Sequence, residues 1–93
     1  MSVIKTYRSK ALEVFGENGD SSRLPVKNHS RVRRILAALD AATTPGDMNL
    51  PGFRFHGLST NPKRYAVDAS GNYRVTWEWD DGNAAAVDIE DYH

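Results

Sequence analysis

Gly71-Asn72-Tyr73-Arg74-Val75-Thr76-Trp77-Glu78-Trp79-Asp80-Asp81-Gly82-Asn83-Ala84-Ala85-Ala86-Val87-Asp88-Ile89 is the stretch that decides the fold. Tyr73, Val75, Trp77 and Trp79 recur at spacing two, the period at which side chains of a strand share a face, and Arg74, Thr76 and Glu78 fall on the other face. Gly71-Asn72 and Asp80-Asp81-Gly82-Asn83 are turn sequences. Strands over 65–69, 73–79 and 84–89 therefore read as an antiparallel meander. Its aromatic stripe needs a cover, because each Å² of apolar surface removed from water contributes about 25 cal/mol.

The cover lies upstream. Ser9 caps a short helix with Leu12 and Phe15 three apart on one face beside Ala11, and Gly16 and Gly19 end it. A polar connector over 20–26 closes at Pro25, after which Asn28 or Ser30 caps a longer helix to about Ala42. Val32, Ile35, Leu36 and Leu39 form its core stripe, leaving Arg31, Arg33 and Arg34 on other faces as a solvated surface. Val3 to Tyr7 alternates as a short strand, and Phe53 to Leu58 alternates Phe53, Phe55 and Gly57 against Arg54, His56 and Leu58. Between helix and sheet, Thr43 to Gly52 carries two Pro-Gly-type breakers and reads as an irregular crossing. The expected architecture is α+β: two N-terminal helices packed on a small twisted, mainly antiparallel sheet, in a single domain over 1–93.

Composition removes several classes of function. With no cysteine, disulfides, thiol catalysis and thiolate metal sites are excluded. No run of about 18 apolar residues and no apolar N-terminal segment is present, so the expected location is the cytoplasm and no membrane is expected as a partner. The net charge is zero, but residues 1–46 hold eight of the twelve basic and four of the twelve acidic residues, and residues 47–93 the reverse. Such a chain does not coat nucleic acid through its overall field, and RNA contact requires a local patch.

The C-terminal tripeptide Asp91-Tyr92-His93 follows directly on a strand that should pair with the Arg74 strand. An imidazole, an acidic residue, an aromatic ring and an arginine thus converge on a surface suited to cutting RNA. Cleavage by attack of the 2′-hydroxyl on the adjacent phosphorus needs one proton taken, one given to the leaving 5′-oxygen and the added charge on phosphorus stabilised. Arg74 is the basic residue of that surface, set inside a β-rich run. Arg74 could instead pair with Glu78 or Asp88 across the sheet. The spacing of His56, Asp91 and His93 carries no metal-ligand signature, so neither metal nor cofactor is expected.

Leu39-Asp40-Ala41-Ala42-Thr43, Asp47-Met48-Asn49-Leu50-Pro51-Gly52, Arg54-Phe55-His56, Gly71-Asn72-Tyr73-Arg74-Val75-Thr76 and Asp88-Ile89-Glu90-Asp91-Tyr92-His93 together resemble the HigB branch of the RelE/ParE toxin superfamily, over nearly the whole chain. The resemblance implies a type II toxin that cuts messenger RNA in the ribosomal A site by metal-independent acid–base transesterification. It implies silencing by a HigA-like helix-turn-helix antitoxin, with operator DNA bound only through that antitoxin. By motif, it places the catalytic positions on His56, Arg74, Asp91, Tyr92 and His93.

The chain departs from the family pattern twice. Many relatives read His-Pro-Leu-Lys where this chain has His56-Gly57-Leu58-Ser59, so the lysine expected at phosphate is replaced by Ser59. Lys63 or Arg64 is expected to supply the cation instead. Asp68 stands where an arginine is frequent, which lowers positive potential if that residue faces RNA. These losses favour the alternative of a non-catalytic toxin, either directed at DNA gyrase or degenerate and retained as an antitoxin-binding module; the intact Asp91-Tyr92-His93 favours the nuclease.

Overall fold

The computed structural model describes residues 4–91, so Val3, Tyr92 and His93 lie outside the described residues. Two helices, α1 (Lys10–Asn18) and α2 (His29–Ala41), pack on one face of a four-stranded antiparallel sheet: β1 (His56–Leu58), β2 (Arg64–Ser70), β3 (Tyr73–Asp80) and β4 (Asn83–Asp91). The strands pair in chain order, the expected α+β meander. Among the described residues no helix is long and apolar enough to cross a membrane.

The helix caps follow the sequence. Ser9 Oγ accepts the Leu12 amide, and Asn28 Oδ1 accepts that of Arg31, each satisfying a first-turn donor that has no partner within the helix. α1 ends at Gly19, whose φ of 74° is one that only glycine adopts without cost. Gly16, expected as a second stop, is instead helical. A Cβ there would lie 2.6 Å from the Tyr7 hydroxyl, so its role is to let the Tyr7 ring approach. Leu12, Phe15, Val32, Ile35, Leu36 and Leu39 meet Val67, Val75, Trp77 and Val87 in one core.

Two expected strands are shorter than their alternation suggests. Phe53 to Leu58 narrows to three residues because Arg54 takes a left-handed φ of 54° and breaks the extended run. Among the described residues, the N-terminal segment forms one isolated parallel bridge, Tyr7 to Val87, in place of a strand. Its backbone bonds to β4 straddle a bulge: Lys5 donates to the Ala84 carbonyl before it and Arg8 to the Val87 carbonyl beyond it, while Ala86, at φ 49°, donates its amide to the Thr6 hydroxyl.

The crossing over 43–52 contains one 3₁₀ turn, Pro45–Met48, held by Asp47, which accepts from the amides of Thr43 and Thr44 and from the Thr43 hydroxyl. Arg31 is not a solvated residue of α2. It donates to the carbonyls of Gly52 and Asp68 and covers Phe53, tying helix, crossing and β2 together. Nor are the acidic residues of β3 and β4 all surface positions: Glu78 pairs with a buried arginine and Glu90 accepts the buried Thr76 hydroxyl.

Candidate active site

The β2–β3 turn organises the site. Gly71, at φ 59°, takes the first central position of a two-residue turn, where a tight hairpin of this type needs a positive φ. Two hollows share the wall Gly71-Asn72-Tyr73. One, of about 210 Å³, is completed by Arg54, His56 and Asp68. The other, of about 290 Å³, is completed by Pro25, Val26, Lys27, Ser70 and Asp91. His56 and Asp91 thus lie on opposite sides of one turn, at the same end of the sheet.

His56 opens β1 on the sheet face away from the helices, in register with Ala66. Its Nδ1 lies 2.9 Å from the Arg54 carbonyl oxygen. A carbonyl can only accept, so Nδ1 carries the hydrogen and Nε2 is the nitrogen that can take up or release a proton. The left-handed backbone of Arg54 aims that carbonyl, and its side chain reaches Asp68 at 3.4 Å. Asp68, in the place where an arginine was the family pattern, does face the cleft, with Arg54 countering its charge.

Arg74 is the second residue of β3, with Asp68 and Glu90 as its register partners on β2 and β4. The cross-strand neighbours considered in the sequence, Glu78 and Asp88, stand elsewhere: Glu78 opposite Arg64 and Ala85, Asp88 opposite Thr76. Asp91 is opposite Tyr73 at the end of β4, and Tyr92 and His93 follow it beyond the described residues.

Arg74 lines neither hollow, and neither do Ser59, Lys63 and Arg64, the three further residues expected at phosphate. Ser59 is exposed just past β1. Lys63 extends its ammonium over Gly57 and the Tyr65 ring, 6.0 Å from its centroid, on the face of β1 opposite His56. Arg64 is 6% exposed. Its guanidinium donates to the Glu78 carboxylate, the Thr76 hydroxyl and the Ala86 carbonyl, each at 2.9 Å, and so is committed to the interior. An exposed cation was expected at Arg64 because nothing near it in sequence announces acceptors 12 to 22 residues away.

Conversely, Arg54, Asn72 and Tyr73 line the site without having been singled out for it. Arg54 reaches the rim beside His56 through its left-handed backbone, which the alternation of the segment does not announce. Among the described residues no three His, Cys, Asp or Glu side chains are placed to hold a metal ion together.

The comparisons with known proteins cover the whole of this arrangement. The family described as the RelE-like toxin of type II toxin–antitoxin system HigB matches residues 5–93. The chain is 30% identical over 92 residues to the protein named Endoribonuclease HigB from Proteus vulgaris, spanning 98% of this chain and 100% of that one. A family match of this extent, with a relative aligned from end to end, leads to one conclusion: the chain belongs to the HigB-like family of RelE-like toxins of type II toxin–antitoxin systems.

Proposed function

We propose that this toxin is an endoribonuclease that cuts messenger RNA on the 70S ribosome, at the A site, and is held inactive by a HigA-like helix-turn-helix antitoxin in the cytoplasm. The observation that supports it best is the grouping at the β2–β3 turn: His56 with Nε2 as its proton-transfer nitrogen, Arg74 two strands away on the same face, and Asp91 leading into Tyr92 and His93. The end-to-end relative is named an endoribonuclease, which agrees with that chemistry.

In this reading the RNA backbone lies over the wall formed by Gly71, Asn72 and Tyr73. Arg74 neutralises charge developing on the phosphoryl oxygens, as a planar guanidinium does best with two oxygens at once. One imidazole, His56 or His93, removes the 2′-hydroxyl proton while the other protonates the leaving 5′-oxygen. Asp91 orients the terminal imidazole, and Tyr92 stacks on a base or donates a proton. No metal enters these steps. With few groups and no lysine at Ser59, the ribosome contributes the alignment of the scissile phosphate.

A second reading is favoured by one observation: Ser59, Lys63 and Arg64 all lie outside the hollows, whose charged lining is Arg54 against Asp68 on one side of the turn and Lys27 against Asp91 on the other. That balance suits a non-catalytic toxin of the same fold, directed at gyrase or retained to bind its antitoxin. Programmed ribosomes incubated with the wild-type chain, His56→Ala, Arg74→Ala and His93→Ala, followed by primer extension, separate the two. A-site breaks that vanish in the variants support the nuclease. Growth arrest with intact mRNA overturns it in favour of a bound target.

A further inference from the structure

Arg64 was expected at the surface and is instead the buried hub of the outer sheet face. Its position beneath β4 is informative. Near the β3–β4 turn, Asp80, Trp79 and Glu78 stand opposite Asn83, Ala84 and Ala85. Continued without interruption, that register would set Arg74 opposite Ile89 and Tyr73 opposite Glu90. It does not continue: Ala86 and Val87 together face Trp77, and beyond them Thr76 stands opposite Asp88. The extra residue moves Glu90 opposite Arg74 and Asp91 opposite Tyr73, and reverses which face every later side chain of β4 occupies.

Such a bulge strains a non-glycine residue, here Ala86 at φ 49°. The strained residue turns its carbonyl to the Arg64 guanidinium at 2.9 Å and its amide to the Thr6 hydroxyl at 2.8 Å. Arg64 also donates to the Thr76 hydroxyl oxygen at 2.9 Å, and Thr76 donates its own hydrogen to Glu90, the register partner of Arg74. One cation therefore holds the bulge directly and the Arg74 neighbour through one hydroxyl.

We propose that Arg64 is a positioning residue of the RNA site: through Ala86 and Thr76 it locks the β4 bulge that delivers Glu90 to Arg74 and Asp91 to Tyr73 beside the β2–β3 turn. This rests on the reading that Arg74 and Asp91 act on RNA.

The test uses the full chain on programmed ribosomes, with Arg64→Met, Thr76→Val, Thr76→Ser, Arg74→Ala and Asp91→Ala, and with backbone amide NMR shifts recorded for each. Arg64→Met and Thr76→Val should lower kcat by about tenfold or more with KM within about twofold, the signature of lost alignment rather than lost binding. The amides of Glu90 and Asp91 should move in both, and Thr76→Ser, which keeps the hydroxyl, should restore rate and shifts. If Arg64→Met does not fold, the Thr76 pair decides. Wild-type kcat and unmoved amides in Thr76→Val overturn the positioning role while leaving the site intact, provided Arg74→Ala and Asp91→Ala are inactive. Wild-type cleavage by those two variants removes the site assignment, and the positioning role falls with it.

Discussion

Arg64 and Arg74 stand on adjacent strands, on the same face of one sheet, yet the two ends of that face do opposite things with an arginine. At the Arg64 end the residue is 6% exposed and its Nη atoms make three bonds to the interior. At the Arg74 end the face opens at the β2–β3 turn beside the cleft that holds His56. The difference teaches that residue type and strand face do not assign a cation to substrate. What sets Arg64 apart is how deeply the fold buries it among the Glu78 carboxylate, the Thr76 hydroxyl and the Ala86 carbonyl.

The sharpest way to break this comparison is to remove both arginines in turn and follow stability. Arg64→Ala leaves Glu78, whose side chain is 25% exposed, without its closest cation and unties the bulge. Losing one partner of a buried ion pair costs about 3 kcal/mol or more. In a domain this small, each kcal/mol lowers Tm by roughly 4–8 °C, so Arg64→Ala should melt well over ten degrees early. Arg74→Ala should stay within about 1 kcal/mol of wild type in urea unfolding while abolishing RNA cleavage. Equal destabilisation by both would erase the distinction between a structural and a functional arginine.

Gly71→Ala probes the open end by its backbone alone. A Cβ there meets nothing within 4 Å, so the whole cost comes from the positive φ, about 1 kcal/mol. Cleavage should fall further than that loss of stability explains, because the turn is the shared wall of both hollows. A loss of stability with full activity would place RNA elsewhere. Arg8→Ala sharpens the closed end: Arg8 touches the same Glu78 at 3.4 Å but has a side chain 53% exposed, and such pairs contribute about 0–1 kcal/mol. The contrast with Arg64→Ala, on the same carboxylate, measures what burial adds.

The closed end was also the part least legible in the sequence. The helices were readable because Val32, Ile35, Leu36 and Leu39 repeat at helical spacing and Ser9 and Asn28 are capping residues. The meander was readable because Asp81 and Gly82, both at positive φ, form the turn that such hairpins favour. The bulge left only a faint trace, the odd spacing from Ala84 to Val87, and its consequence, a shifted C-terminal register, depends on partners far away in the chain. Arg64 was misread for the same reason. At the open end His56, Arg74 and Asp91 were named through the family pattern, whereas Arg54 and Asn72 became visible only when the turn and the left-handed Arg54 brought them to one rim.

A third kind of charge, exposed yet fully used, gives the smallest effect and the cleanest sign. Asp47 accepts from the Thr43 and Thr44 amides and the Thr43 hydroxyl, and these bonds, the Thr43 amide first, hold its carboxyl below the usual carboxylate range. A group whose folded value is depressed stabilises the fold above its unfolded value, about 3.9 for aspartate, and loses that contribution as pH falls through the lower folded value. Asp47→Asn should therefore differ from wild type by a constant small amount at neutral pH, and the two unfolding curves should converge only on the acid limb below pH ~4. Curves that stayed parallel into that limb would mean that the 3₁₀ turn is held by its hydrogen bonds whatever the charge on Asp47. The crossing would then resemble the Arg31 strut more than the Arg64 hub, stable through geometry and not through ionisation.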